Sequence, residues 1–120
     1  LKNTFNREER LKSKKQMEAL FAKGKSRTGF PVKMQFMETK ELKFAAQAMF
    51  VVPKRSFKKA HDRNKLKRRM REAYRLNKQK MYEQLRAGGK QMLLAFIYIG
   101  KEEAEYGKIE AAVKKLIAKF

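Results

Sequence analysis

Between Lys54 and Lys80 thirteen lysines and arginines stand against only two acids, Asp62 and Glu72. Placed on a helix at about 100° per residue, this run is sorted by side. Leu66, Met70, Ala73, Tyr74, Asn77 and Met81 share one arc; Asn64, Lys67, Arg68, Arg71, Arg75 and Lys78 share the opposite one. A chain carrying such a segment is constrained to fold around a long helix, from about Ala60 to Arg86, whose apolar arc enters a core while its cationic arc stays outside. Solvated helix faces usually mix signs, because like charges one turn apart each cost about 0.2–0.5 kcal/mol. Here the repulsions Lys67/Arg71 and Arg71/Arg75 are left uncompensated, which points to a polyanion that relieves them.

Composition narrows the partner. A formal charge of +20 and a pI near 10.4 on 120 residues favour nucleic acid or an anionic membrane and disfavour self-association. The hydrophobic fraction of 42% argues for one folded domain over residues 1–120 rather than a basic disordered tail. With no cysteine there is neither a disulfide framework nor a thiolate metal site, which fits an intracellular protein. No apolar run approaches the roughly 20 residues of a membrane span, and no signal peptide is expected at the start. The start at Leu1 rather than Met implies processing or trimming and nothing more.

The remaining elements follow from spacing. Residues 1–12 read as a flexible basic arm. Ser13-Lys14-Lys15-Gln16 has the pattern of a capping box opening a helix with Met17, Leu20 and Phe21 on its apolar face, and Gly24 is its stop. Gly29 and Pro31 mark the entry to a first strand over Val32–Met37, with Val32, Met34 and Phe36 on one face and Lys33 and Gln35 on the other. Leu42–Val52 is a largely buried apolar run ended by Pro53, and the long helix stops at Gly88-Gly89. Met92–Ile99 is a continuous apolar run of strand length, expected to be central and covered on both faces. A last helix from about Tyr106 carries Ile109, Ala112, Val113, Leu116, Ile117 and Phe120 at three- and four-residue spacing. The order is that of one α+β sandwich.

Catalytic chemistry is missing from the chain. The only histidine, His61, has no nucleophile or acid assigned to it and is expected at a helix start. Glu8-Glu9 and Glu102-Glu103 are adjacent pairs on irregular or exposed segments, and neighbouring side chains do not converge on a metal or a proton. Gly88-Gly89-Lys90 lacks the spacing and the Ser/Thr of a phosphate-binding loop. The nine phenylalanines and four tyrosines are a normal core supply. Phe21, Phe36 and Tyr98 sit in elements able to line an open side of the sheet, where aromatic rings beside cations let single-stranded bases stack without sequence readout.

Arg63-Asn64-Lys65-Leu66-Lys67-Arg68, continued by Arg69-Met70-Arg71-Glu72, resembles the Arg-Asn-Arg signature of the bacterial ribonuclease P protein family. Val52-Pro53-Lys54-Arg55 is similar to the stretch that ends a strand in that family. Arg10-Leu11, Leu20-Phe21 and Gly24-Lys25-Ser26 are similar to its first helix and the following loop. Phe96-Ile97-Tyr98 and Tyr106 sit where the family has its last strand and the lead-in to its last helix. There are departures. Lys65 replaces the third signature Arg, keeping the charge but losing the guanidinium fork. Met17 stands where the family commonly has a phenylalanine of its leader-binding cleft. His61-Asp62 precede the signature in place of small or apolar residues, and Asp62 is a candidate N-cap.

The resemblance implies an αβββαβα sandwich with a left-handed βαβ crossover, of the kind found in the second domain of a small-subunit ribosomal protein. Chain geometry alone would have favoured the right-handed crossover. It implies a cytoplasmic ribonucleoprotein endoribonuclease that removes the 5′ leader of precursor tRNA. The catalytic site and its Mg²⁺ would lie in the RNA subunit, with no catalytic or metal residue in this chain. Lys54, Arg55, Arg63, Asn64, Lys65, Lys67, Arg68, Arg71 and Arg75 would hold the catalytic RNA; Met17, Phe21, Phe36 and Tyr98 would line the leader cleft. A structural, ribosomal-type RNA-binding protein shares the charge, size and missing chemistry, and remains the alternative. A DNA-binding module usually presents its helix from a compact helical unit or dimer, which the buried strand argues against. A membrane-surface role lacks a spare apolar face.

Overall fold

Ser13 opens the first helix by accepting the Gln16 amide on its hydroxyl at 3.2 Å, as the capping pattern requires. In the computed structural model, which describes residues 4–120, this helix, α1, spans Lys14–Lys23. Gly24 ends it because nothing larger fits: a Cβ there would press into the Leu20 carbonyl oxygen and lie 3.1 Å from that of Phe36. The chain continues through β1 (Lys25–Gly29), β2 (Val32–Thr39), β3 (Ala46–Val51), α2 (Ala60–Ala87), β4 (Gln91–Tyr98) and α3 (Tyr106–Ile117). The sheet order is β1-β2-β4-β3, antiparallel except for the parallel β3–β4 pair, which α2 connects.

Two boundaries differ from expectation. The first strand is Lys25–Gly29, ahead of the Val32 start read from the sequence. It is an edge strand with one neighbour, so its Lys-Ser-Arg-Thr-Gly sequence needs no apolar alternation. β3 begins only at Ala46, because Gln91 ties the preceding loop: its side chain accepts the Leu42 amide at 2.9 Å and donates to the Leu42 carbonyl at 2.8 Å.

β4 is covered on both faces, and its alternation assigns each face a helix layer. Met92, Leu94, Phe96 and Tyr98 join the main core with Val32 and Met34 of β2, the buried arc of α2 and the apolar side of α3. Phe96 stacks on Phe50 with centroids 5.5 Å apart, and Tyr74 of α2 tilts against it at 5.3 Å. Leu93 and Ala95 point the other way, into a smaller cluster with Leu11 and Leu20, against which Met17, Met37, Leu42 and Met49 pack. The α2/α3 layer therefore seals one face of the sheet, while the short α1 covers the other.

The arm expected over residues 1–12 is docked along its described part; Leu1, Lys2 and Asn3 lie outside the described residues. Arg7–Glu9 form one 3-10 turn, Arg10 bridges to Ala48 beside β3, and Leu11 is buried. Glu9 is buried and ion-paired with Lys78 of α2, which also donates to the Thr4 carbonyl; the Tyr82 hydroxyl donates to the same Glu9 carboxylate at 2.7 Å. Two expectations are corrected here. Glu9 is not an exposed acid, and Lys78 leaves the cationic arc because it is needed to neutralise Glu9 inside the core.

Candidate nucleic-acid interface

Helix α2 presents its signature end at the edge of the domain where β4 runs out and α3 begins. Leu66, Met70, Ala73, Tyr74 and Met81 are buried, and Asn64, Arg68 and Arg71 are exposed with Lys67 half-exposed beside them. The two-sided sorting read from the sequence holds over this stretch. Asn77 sits between the arcs, its amide donating to the Ala73 carbonyl at 2.7 Å and to Glu110 of α3 at 3.1 Å.

The remaining cations of the run divide by what they touch. Arg63 donates to the carbonyls of Phe57 and Lys58, at 2.7 and 2.8 Å, and so closes the loop that leads into α2. Arg69 donates to the Ala104 carbonyl at 2.7 Å and pairs with Glu103 at 3.1 Å; Lys65 reaches the same carboxylate at 3.3 Å. These contacts bind α2 to the β4–α3 connection. Arg75 pairs with Glu72, and that hydrogen bond holds the Glu72 carboxyl below its ordinary range. Among the described residues, Lys67 and Arg68 have neither an ion pair nor a side-chain hydrogen bond, and the same is true of Lys54 and Arg55 in the exposed turn before α2. The interface thus has a fixed inner rank, Arg63, Lys65 and Arg69, and an open outer rank, Asn64, Lys67, Arg68 and Arg71.

Asp62 is not the N-cap. The helix begins at Ala60 with Lys59 as its cap residue, and Asp62 lies in the first turn, where its negative charge suits the helix dipole. Its carboxylate is 3.6 Å from the ring of His61, whose side chain is 82% exposed.

The four residues expected to line one cleft do not meet. Met17 and Phe21 lie on the α1 face of the sheet, Phe21 at 44% exposure. Phe36 and Tyr98 lie on the opposite face, with the α2/α3 core. Strand alternation dictates this separation: Phe36 pairs with Leu94 and Val32 with Tyr98, all of one parity. Tyr98 is 1% exposed, accepts the Ala104 amide at 2.9 Å and donates to the Glu102 carbonyl, so it fastens the β4–α3 connection; burial pushes its phenol up. The α1 face instead carries Lys33, Gln35 and Met37 of β2, opposite Ile97, Ala95 and Leu93 of β4, with Met49 and Val51 of β3 on the other flank. The sequence reasoning put Lys33 and Gln35 on the face opposite Val32, Met34 and Phe36 but named neither of them, nor Ile97, as a cleft residue. The signal was available: once Val32, Met34 and Phe36 are given to the core, the residues between them must face α1.

Among the described residues no group of three or more histidine, aspartate or glutamate side chains converges to hold a metal, and no helix is long and apolar enough to cross a membrane.

Comparisons with known proteins identify the family and the fold. The family model Ribonuclease P matches residues 5–120. A Ribonuclease P protein component of Porphyromonas gingivalis is 30% identical over 117 residues, covering 97% of this chain and 85% of the relative. One of Chlorobium phaeobacteroides is 36% identical over 107 residues, covering 82% and 73%. A solved Staphylococcus aureus RNase P protein shares the fold with a TM-score of 0.74 at 20% identity, covering 92% of this chain and 95% of that one. The match of a single family model to residues 5–120, nearly the whole chain, places this protein in the ribonuclease P protein family.

Proposed function

We propose that this chain is the RNA-holding subunit of a ribonuclease P ribonucleoprotein that removes the 5′ leader of precursor tRNA. The observation that carries the reading is the open rank Asn64, Lys67, Arg68 and Arg71 on a helix whose opposite arc is locked into the core. A row of side chains on a pre-formed helix follows a phosphate backbone with no ordering of the main chain, only of the exposed side chains. Lys54 and Arg55 extend the row beyond the helix start.

The substrate's single-stranded leader would lie on the α1 face of the sheet. Phe21 is exposed there, Met17 half-buried, and Lys33, Gln35 and Ile97 offer a cation, an amide and an apolar floor. Bases with free faces can stack on such a floor in any sequence. Bond cleavage is assigned to the RNA subunit, where Mg²⁺ supplies the activated water. Among the described residues no three acids converge as a Mg²⁺ site would require, and Glu72, Glu103 and Glu9 are each committed to a basic partner. This chain positions and neutralises.

The test uses the holoenzyme. Arg68→Ala with Arg71→Ala should weaken binding to the catalytic RNA and flatten its salt dependence by about 0.7–0.9 in log–log slope for each phosphate no longer neutralised. Unchanged affinity and slope in the folded variant would overturn the assignment. Precursor-tRNA cleavage that does not respond to this chain at all would favour a purely structural RNA-binding role instead.

A further inference from the structure

At the end of the domain away from the signature lies a cleft of about 660 Å³ that the α2 stripe does not include. Its floor is Phe36 and Phe120, whose rings meet edge to face at 5.4 Å, together with Leu85 and Met92. Arg27 is built into this floor. Its guanidinium lies 4.7 Å from both ring centroids and donates to the carbonyls of Leu116 and Lys119, at 3.2 and 2.7 Å. That arginine ties β1 to the end of α3 through one guanidinium nitrogen, Nη1.

The rim is different. Lys23 ends α1, Lys25 opens β1, Lys90 precedes β4 and Lys119 follows α3, so four elements each send a lysine to one opening. All four are exposed, and among the described residues none of their ammonium groups has an ion pair or hydrogen bond. Glu38 is the single acid in the lining. Any patch of so basic a surface is cationic, but sequence proximity explains only Lys23 beside Lys25; their meeting with Lys90 and Lys119 arises only in the fold. Lys90 also borders a second depression lined by Lys40, Lys43 and Arg86, which extends the positive field around this end of the sheet.

We propose that this distal cleft is a second RNA-backbone site, taking a phosphodiester strand that the signature end of α2 does not reach. Leu85, in its floor, is roughly 25 Å from Arg68 along the helix at about 1.5 Å per residue, several nucleotides away. Lysines are compact charges on flexible stems, without the fork that reads a base edge, so the cleft holds phosphate and ignores sequence. The rings are shielded by Arg27 and serve as a rigid base for the rim. The protein then bridges two separated segments of RNA. The inference rests on the chain working in a ribonucleoprotein, and not on which α2 residues make contact.

The experiment uses the full chain and the catalytic RNA of the same ribonuclease P. Lys25→Gln/Lys90→Gln/Lys119→Gln, with an unchanged melting temperature, should lower the log–log salt slope by about 0.7–0.9 for each lysine in contact. The same further fall should appear in the Arg68→Ala/Arg71→Ala background, because sites this far apart act independently. The chain has no cysteine among its residues, so Lys90→Cys and Arg68→Cys can each carry a tethered iron chelate; position 90 should cut the RNA at nucleotides that position 68 does not. Unchanged slope, with scission from position 68 and none from position 90, overturns the distal site and spares the stripe. That is also the result expected if an acidic protein occupies the cleft. Failure of the wild-type chain to bind the RNA overturns the ribonucleoprotein reading and this inference together.

Discussion

Lys78 and Glu9 form an ion pair with 3% and 2% of their side chains exposed, between a basic helix and the N-terminal segment. Tyr82 completes it by donating to Glu9, and Tyr74 lies 3.3 Å from the Tyr82 hydroxyl. Breaking one side leaves a charge in the core. Lys78→Met is expected to destabilise the fold by about 3–5 kcal/mol, and Glu9→Gln/Lys78→Met to recover much of that loss. Urea unfolding of the three proteins checks this; a double variant as unstable as the single would contradict it.

The two buried tyrosines set an alkaline limit. Burial raises the Tyr82 and Tyr74 phenols well above their ordinary value near 10. A group whose folded pKa is raised gives its stability in full below the unfolded pKa and loses it as pH rises beyond. Stability should therefore fall from about pH 10 upward, as the unfolded chain releases phenolic protons that the folded chain retains. Tyr74→Phe should make that decline shallower, read as unfolding free energy against pH between about 9 and 11.

Phe36 belongs to the floor beneath α3, so Phe36→Ala is expected to cost roughly 2 kcal/mol, less than the ~3–5 of a fully buried ring. Its effect on precursor and mature tRNA binding should be equal. A loss confined to the precursor would return Phe36 to the leader path.

Met17 is half-buried on the α1 face beside exposed Phe21. Met17→Phe should add a stacking surface there and tighten precursor binding by about 1 kcal/mol, roughly fivefold, without changing mature-tRNA binding. Equal affinities of the variant and the parent for precursor would remove this face from the leader path.

His61 is exposed, and among the described residues its one polar side-chain partner is the neighbouring Asp62 carboxylate. His61→Ala should leave single-turnover cleavage by the saturated holoenzyme within a few fold. A thousandfold drop would make this chain a participant in the chemistry.

Periodicity carried the large features of the fold because each rests on a strong local pattern. The α2 sorting, the buried β4 run and the α3 spacing read correctly for that reason. What stayed hidden depended on partners distant in sequence. Glu9 and Lys78 are 69 positions apart, and nothing local distinguishes Lys78 from the other cations of its arc. β1 carries no apolar alternation, so only its pairing to β2 reveals it. Phe36 and Tyr98 were grouped with Met17 and Phe21 by residue type, whereas strand parity sends them to opposite sides of the sheet. Family resemblance supplied the order of elements and could not supply that parity.

Because α2 is the connection between the parallel neighbours β3 and β4, Ala46 must find Met92 across the whole length of that helix. Such a pairing closes a long loop, and the entropy of that closure slows folding. The exposed rank of α2 is ordered only in the folded chain, so a polyanion that follows it binds the native state more tightly than the unfolded chain, whose charge of +20 attracts it without that order. The difference between the two affinities adds to the stability of the fold by mass action, so the chain should resist heat and proteolysis better in its particle than free in solution.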